Sequence, residues 1–282
     1  MLKRDRLPLP IIGSARKVWD DLNYAPSLLV GEVKDGKLLG FAMGVIRDTS
    51  QGRIGYTKLL TVVPEARRQG IGKALVQQLE SAMQAQGAEK GRVGESAPNY
   101  LLPGLDVRYT HAWLLFQNLG YKRFGETYNL DVDLHCEAWD TSDMEVKLAA
   151  QGVTVRRARA TDTDLITNFL DAEWPSWKAE VYTAMSREPL ALHVAVRGEE
   201  MLGFSAYDAN NMGTGWFGPM GNAPAARGLG IGGVLLRRCL RDQKTQGHTT
   251  SIIPWVGPIG FYAHFAKAVV SRVFYRLEKP FS

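Results

Sequence analysis

Two short stretches of this chain combine an arginine, a pair of glycines and a helix start in a way that suits the binding of a diphosphate. The first runs Val63-Pro64-Glu65-Ala66-Arg67-Arg68-Gln69-Gly70-Ile71-Gly72 and the second Ala223-Pro224-Ala225-Ala226-Arg227-Gly228-Leu229-Gly230-Ile231-Gly232. Both read Arg-x-x-Gly-x-Gly, and they keep register at an offset of 230 − 70 = 160. A helix N-terminus leaves about four backbone N–H groups without intrahelical partners and carries a partial positive charge. Glycine removes the side chains that would hold an anion off those groups and permits backbone angles closed to other residues. Arg67 and Arg227, at the mouth of each loop, add charge-assisted hydrogen bonds, and Arg68 and Lys73 add further positive charge to the first copy.

Other phosphate-binding readings fit these residues less well. A Walker-type loop needs a Lys-Ser/Thr pair after its last glycine, and neither copy has one. Gly228-x-Gly230-x-x-Gly233 matches the dinucleotide fingerprint literally. The first copy does not match, and His248-Thr249-Thr250-Ser251-Ile252-Ile253 offers no acidic residue for a ribose.

The elements around each loop repeat as well. In the second half Val153 to Ala158 alternates like a strand, Thr161-Asp162 caps a helical pattern through Leu165, Ile166, Phe169 and Leu170, and a second short helix is expected over about 179–185. Leu192 to Val196 and Met201 to Tyr207 make a hairpin around Gly198-Glu199-Glu200. A strand over 215–222 leads into the loop, and a helix from Ile231 to about Gln246 leads out. A strand over 249–255, a short helix over 259–267 and a final strand over 269–277 complete the half. The first half follows the same order from Leu28: a hairpin over Asp35-Gly36-Lys37, a strand from Tyr56 to Val63, and a helix from Ile71 to Gln86. Ile71, Ala74, Leu75, Leu79, Ala82 and Met83 make that helix's apolar stripe. Only 27 residues precede its hairpin, so its opening strand and helix are expected to be curtailed. A longer excursion, 95–109, precedes its own short helix over 110–119. The polar stretch 136–152 lacks a sustained period and reads as the junction. The expected domains are therefore 1–135 and 153–282, with 136–152 as linker.

Composition agrees with two folded modules. The 282 residues are about twice the usual domain size, and 45% hydrophobic with 22% charged residues is ordinary for a globular chain. The net charge of +5 is mild and scattered, so nucleic acid is not required as a partner and an anionic small molecule suffices. Arg237, Arg238 and Arg241 read either as a basic flank to the second loop or as a solvated helix face. No run approaches the length of a membrane span, and the basic start 1–4, broken by Pro8 and Pro10, makes a poor signal peptide. Cys136 and Cys239 read as free thiols, which makes a reducing cytoplasm the expected compartment. His111, His135, His193, His248 and His264 show no metal-ligand spacing, and no metal is assigned.

Taken with the hairpins Asp35-Gly36-Lys37-Leu38-Leu39-Gly40-Phe41 and Gly198-Glu199-Glu200-Met201-Leu202-Gly203-Phe204, the loops carry a family likeness. So do Leu115-Phe116-Gln117-Asn118-Leu119-Gly120-Tyr121 and Phe261-Tyr262-Ala263-His264-Phe265-Ala266. Together they resemble the GCN5-related N-acetyltransferase (GNAT) family, twice over, in a tandem arrangement similar to that of mycothiol synthase. The resemblance implies an α/β chain of two GNAT-like acyltransferase domains, each a mixed sheet splayed after its fourth strand and flanked by helices. It implies acetyl-CoA as cofactor, with pantetheine along the strand ends 60–63 and 220–223. The residues carried over as cofactor-binding are Val62, Val63, Arg67, Arg68, Gln69, Gly70, Ile71, Gly72 and Lys73 in the first copy. In the second they are Asn222, Ala223, Arg227, Gly228, Leu229, Gly230, Ile231, Gly232 and Gly233.

The resemblance also implies a tyrosine that protonates the departing thiolate, and Tyr262 occupies its place; in the first half that place holds Phe116, which has no proton to give. A phenol of ordinary pKa about 10 is close enough to a thiol's 8.5 for such transfer. Glu173 is the first candidate for the base and Asp208 the second, while Trp174, Pro175, Ser176 and Trp177 read as walls of the acceptor pocket. The expected function is acetyl-CoA-dependent N-acetylation of a primary amine on a small-molecule or peptide acceptor, by a monomer or homodimer. The second module is expected to carry the chemistry. The alternative is a non-catalytic acyl-CoA-binding or scaffold protein.

Overall fold

The structure is a computed structural model that describes residues 17–281. The start of the chain, including Pro8, Pro10 and most of the stretch expected to be curtailed, lies outside those residues. Among the described residues, 17–128 with 272–281 form one compact unit and 129–271 another. These units are drawn differently from the ranges expected above: the last ten described residues join the first unit.

In the first unit, β1 (Leu29–Lys34) and β2 (Lys37–Thr49) make a hairpin, and β2 pairs antiparallel with β3 (Gly52–Val62). Asp35 and Gly36 take the positive φ angles of 51° and 72° that a two-residue turn requires. Helix α1 (Ile71–Ala85) buries Leu75, Val76, Leu79 and Met83 at helical spacing against the sheet. It lies close because Gly55 has no side chain: a Cβ there would stand 2.6 Å from the Met83 sulfur. β4 (Lys90–Val93) pairs parallel with β3, which makes the sheet mixed. β5 (Leu105–Asp106), α2 (Thr110–Asn118) and the opening of β6 (Lys122–Asp133) follow.

The unit is completed from far along the chain. Residues of β12 (Val269–Pro280) pair antiparallel with both β4 and β5. Ion pairs fix the strand: Arg272 to Asp106 at 2.5 Å, Arg276 to Glu95 at 2.8 Å, Glu278 to Arg92 at 2.6 Å and Lys279 to Glu80 at 2.7 Å. Arg92 and Arg276 also stand over the Phe124 ring, at 4.7 and 4.6 Å from its centroid.

The second unit holds the antiparallel order β10-β9-β8-β7, from β7 (Thr154–Arg157), β8 (Leu192–Arg197), β9 (Glu200–Tyr207) and β10 (Phe217–Asn222). β11 (Thr250–Val256) meets this sheet through one parallel bridge between Trp216 and Ile252. Helices α5 (Lys178–Met185), α6 (Ile231–Thr245) and α7 (Ile259–Ala266) stand within one residue of their expected ranges, and α4 (Thr163–Glu173) runs three residues past Leu170.

Residues 136–152, set aside above as the junction, contain a helix, α3 (Ser142–Ala149), whose Leu148 is buried with Val153, Val155, Val234 and Leu235. Acids of this stretch hold part of the arginine face of α6: Arg237 pairs with Glu137 at 2.6 Å and Arg238 with Glu145 at 2.8 Å. That face is therefore a seam within the unit. No helix among the described residues is long and apolar enough to cross a membrane.

Candidate functional site

Each glycine loop sits beside a sheet that opens. In the first unit β3 and β4 pair over Ile54–Thr57 and Lys90–Val93, and the last link is the Gly94 N–H donating to the Thr57 carbonyl at 3.0 Å. Gly94 and Glu95 then turn away at φ 68° and 47°. On the other edge of β3 the Val63 N–H donates to Leu39 at 2.8 Å. Alternation along a strand therefore aims the backbone groups of Leu60 and Val62 into the opening. The chain makes a short 3-10 turn over Pro64–Ala66, passes Arg68 at φ 66° and Gly70 at φ 86°, and enters α1. Arg67 braces the strand end, its Nε donating to the Val62 carbonyl at 2.9 Å, and Gln69 donates to the Glu65 carbonyl at 3.2 Å. Val63 and Ile71 are half-buried, and Lys73 is exposed on the outer face of α1.

The second unit repeats this geometry, its loop at an offset of 160 and its last strand link two residues earlier, because Pro254 stands where Gly94 donates. Ile252 donates to the Gly215 carbonyl at 2.8 Å, the strands part, and Trp255, answering to Glu95, takes φ 49°. The Ala223 N–H donates to Leu202 at 2.9 Å, which aims the backbones of Met220 and Asn222 into the opening. Gly228 and Gly230 take φ 84° and 86°, and a Cβ on either would meet nothing within 4 Å. The loop is open, as an anion site must be. Leu229 and Ile231 turn inward onto the core, whereas the Arg227 side chain is exposed.

Two second-unit residues separate into different roles. Gly232 lies beneath Asn222 and Phe261: a Cβ there would stand 3.0 Å from the Asn222 Nδ2 and 3.2 Å from the Phe261 ring. The Asn222 Oδ1 is buried and has no hydrogen-bond partner within the protein, so it is an acceptor waiting for a donor. Val62 stands at the matching place in the first unit. Gly233 serves packing instead, since a Cβ there would fall 2.7 Å from the Phe265 ring and 3.0 Å from the Met144 methyl.

Tyr262 is 8% exposed and packs edge-on against Phe217, the first residue of β10, with ring centroids 6.1 Å apart. Burial pushes its pKa up to about 12, so the hydroxyl keeps its proton across the physiological range. Phe116 is its structural counterpart, because a Cβ on Gly72 would stand 3.4 Å from Leu115 just as one on Gly232 would stand 3.2 Å from Phe261. Phe116 is fully buried against Tyr121.

Glu173 ends α4 and is half-buried, next to a group of rings. Trp174 covers Gly221, where a Cβ would stand 2.8 Å from its ring, and stacks on Trp177 at 5.4 Å and 12°, with Phe169 and Phe204 around them. Because the Asn222 side chain faces α6, its neighbour Gly221 faces the other side of the sheet. The tryptophans thus line the face opposite the glycine loop. Asp208 is occupied elsewhere: its carboxylate accepts from the Gly213 N–H at 2.8 Å and meets Arg187 at 3.4 Å, which ties down the loop after β9.

Sequence reasoning missed one group. Lys58 is the bulged residue of β3, left out where the register with β2 passes from Leu59–Met43 to Thr57–Gly44. Its amine is 1% exposed and is held by Asp21, which is itself fully buried. Arg47 grips the same carboxylate through two bonds of 2.7 and 2.8 Å and donates to the Ala97 carbonyl at 3.1 Å. Burial works to raise the Asp21 pKa, but the bonds from Arg47 and Lys58 outweigh it and hold the carboxyl below its ordinary range. Burial in turn pulls the Lys58 amine below its own ordinary range. The one available signal was the offset, which sets a charged Lys58 against Gly218.

Comparison with known proteins agrees with this geometry. The acetyltransferase (GNAT) family model matches residues 4–99. Among solved structures the chain is similar to a GCN5-related glucosamine N-acetyltransferase region of a fungal multi-domain GH3 β-N-acetylglucosaminidase, with TM-score 0.74 and 19% identity. That match covers 87% of this chain and 32% of the other, so this chain spans about a third of that enzyme. It is similar to a GCN5-related N-acetyltransferase from Sphaerobacter thermophilus, with TM-score 0.66 and 18% identity over 93% of this chain and 83% of that one. A tandem GNAT protein from the clavulanic acid biosynthesis pathway gives TM-score 0.61 and 16% identity over 96% and 87%. At these identities the likeness is one of fold. No curated protein matches significantly.

Proposed function

This chain is a tandem GNAT-fold protein, and from that premise we propose that it is an acetyl-CoA-dependent N-acetyltransferase whose second unit transfers the acetyl group to a primary amine. The observation that carries the reading is Tyr262, a protonated hydroxyl buried beside Phe217 where β10 parts from β11.

The residues present fit the carrier. The Gly228 and Gly230 loop leaves its amides uncovered at the start of α6, and Arg227 stands exposed beside it for a diphosphate. Met220 and Asn222 offer strand-edge backbone groups, and the unpartnered Asn222 Oδ1 suits an amide N–H of a pantetheine arm. When bound, the carrier supplies an acetyl thioester. An acceptor enters from the Trp174 and Trp177 face, and Glu173, beside those rings, is our candidate to receive the proton that the attacking amine sheds. Tyr262 donates its proton as charge collects on the sulfur. The same burial that raises the tyrosine's pKa raises the proton affinity of a thiolate beside it, which keeps the two matched. A compartment that keeps thiols reduced suits Cys136 and Cys239, both unpaired, and the cytoplasm is our reading.

The test is release of free thiol from acetyl-CoA against a panel of amines. Turnover with at least one acceptor, lost in Tyr262→Phe, is the expected result. Carrier binding without thiol release for any amine would favour the non-catalytic alternative, to which Phe116 already points in the first unit.

A further inference from the structure

We propose that Lys58 is itself an acyl acceptor: that its amine takes an acetyl group from a thioester held in the first unit's own cradle. The inference rests on the reading that this cradle binds an acyl thioester, and it adds a modification site.

Geometry carries it. The strand from Val62, beside the loop, back to Lys58, at the point where β3 and β4 part, is four residues long and spans about 13 Å. An extended pantetheine arm lying along Val62 and Leu60 brings its thioester to that point. In the second unit the residue at this place is Gly218, and the face beyond it is left to an external acceptor. The first unit supplies an amine instead. Leu60 and Val62 pack beneath α1 with Leu75, whereas Leu59 packs with Val18 and Tyr24 on the opposite face, where the Lys58 amine meets Asp21. An acceptor amine in the second unit would approach from the corresponding side. Asp21 holds the amine in place, and burial outweighs that pairing and favours the neutral amine.

The step balances. Lys58 sheds its ammonium proton to solvent, the nitrogen lone pair forms a bond to the thioester carbonyl carbon, and the carbon–sulfur bond breaks. A second amine proton is shed as the amide forms. The thiolate leaves and takes up that second proton, and Asp21 stays a carboxylate throughout. The chemical need for Tyr262's counterpart is thereby relaxed, which suits Phe116. Two cations share one carboxylate before the reaction; afterwards Lys58 is neutral and Asp21 keeps its two bonds from Arg47.

The test is to incubate the full chain with isotope-labelled acetyl-CoA, digest it, and follow the mass of the Lys58 peptide over time. Lys58 is expected to gain one acetyl group at least tenfold faster than an exposed lysine such as Lys37, although simple chemical acetylation favours exposed amines. The gain should persist in Tyr262→Phe and fall in Gly72→Asp, which puts negative charge at the first cradle. Lys58→Arg keeps the pairing with Asp21 and should show no gain at that peptide while remaining folded. An unmodified Lys58 overturns the inference whether or not the carrier occupies the first cradle, and so does equal labelling in wild type and Gly72→Asp. Amine turnover by a protein whose Lys58 stays unlabelled would sink this inference and leave the proposed transferase standing.

Discussion

Set side by side, the two units keep the same cradle and differ at its far end. Both part their strands after one last backbone link, turn away through a residue at φ near 48°, and enter a helix through a left-handed glycine. The first unit then has Lys58, Phe116 and Val62 where the second has Gly218, Tyr262 and Asn222. On the reading proposed above, a diphosphate is held chiefly by main-chain groups, and such a site tolerates divergence of side chains. Proton transfer needs a specific side chain at a specific place, and it is lost by one substitution.

Four experiments press on that contrast. The largest effect is expected from Tyr262→Phe: if the hydroxyl is the acid, kcat falls by on the order of a hundredfold or more, whereas Phe116→Tyr should add no turnover. A steady-state comparison of the two variants decides it. Asp21→Asn should destabilise the first unit by about 3 to 5 kcal/mol, because it leaves two buried cations short of their shared anion. The folded carboxyl lies below its ordinary value of 3.8. Its contribution is therefore whole above that value and fades as pH falls through the lower, folded pKa. Denaturant melts from pH 7 down to pH 3 would show this in the wild type and lack it in the variant.

Position 73 answers to position 233, and the pair gives a smaller contrast. Gly233→Ala should cost about 1 to 3 kcal/mol, since Phe265 and Met144 must move. Lys73→Ala, on an exposed face, should be close to neutral, and thermal unfolding distinguishes them. The smallest effect concerns the arginines. Arg227→Ala should weaken carrier binding about tenfold, and Arg67→Ala by less, since the Arg67 Nε is already engaged by Val62. Calorimetric titration of both variants measures the difference; equal losses would mean that Arg67 lets go of the strand on binding.

Much of this was legible in the sequence because the cradle is local. Proline, arginine, glycine and helix start lie within ten residues, so their spacing survives as a pattern, and the positive φ at Gly70 and Gly230 follows from residue type. The hairpins and the main helices announced themselves through periodicity. What could not be read depends on partners distant in sequence. Lys58 acquires meaning only when the chain brings Asp21 to it across 37 residues. Helix α3 has two turns and little periodicity, and its place is set by Met144 meeting Gly233 and by Leu148 entering the core. The assignment of 272–281 to the first unit rests on ladder pairing and charge partners up to 199 residues away.

That last strand has a consequence for how the protein is made. A ribosome that has just finished β4 has roughly 190 residues still to add before the end of β12 emerges, which takes about 10 to 40 s at common synthesis rates. Throughout that interval one edge of β4 lacks its neighbour, Glu80 lacks Lys279, and Glu95 and Asp106 have only Arg92 and Arg108 before Arg276 and Arg272 arrive. The nascent first half therefore keeps that edge open, and it closes only after the second half has been translated.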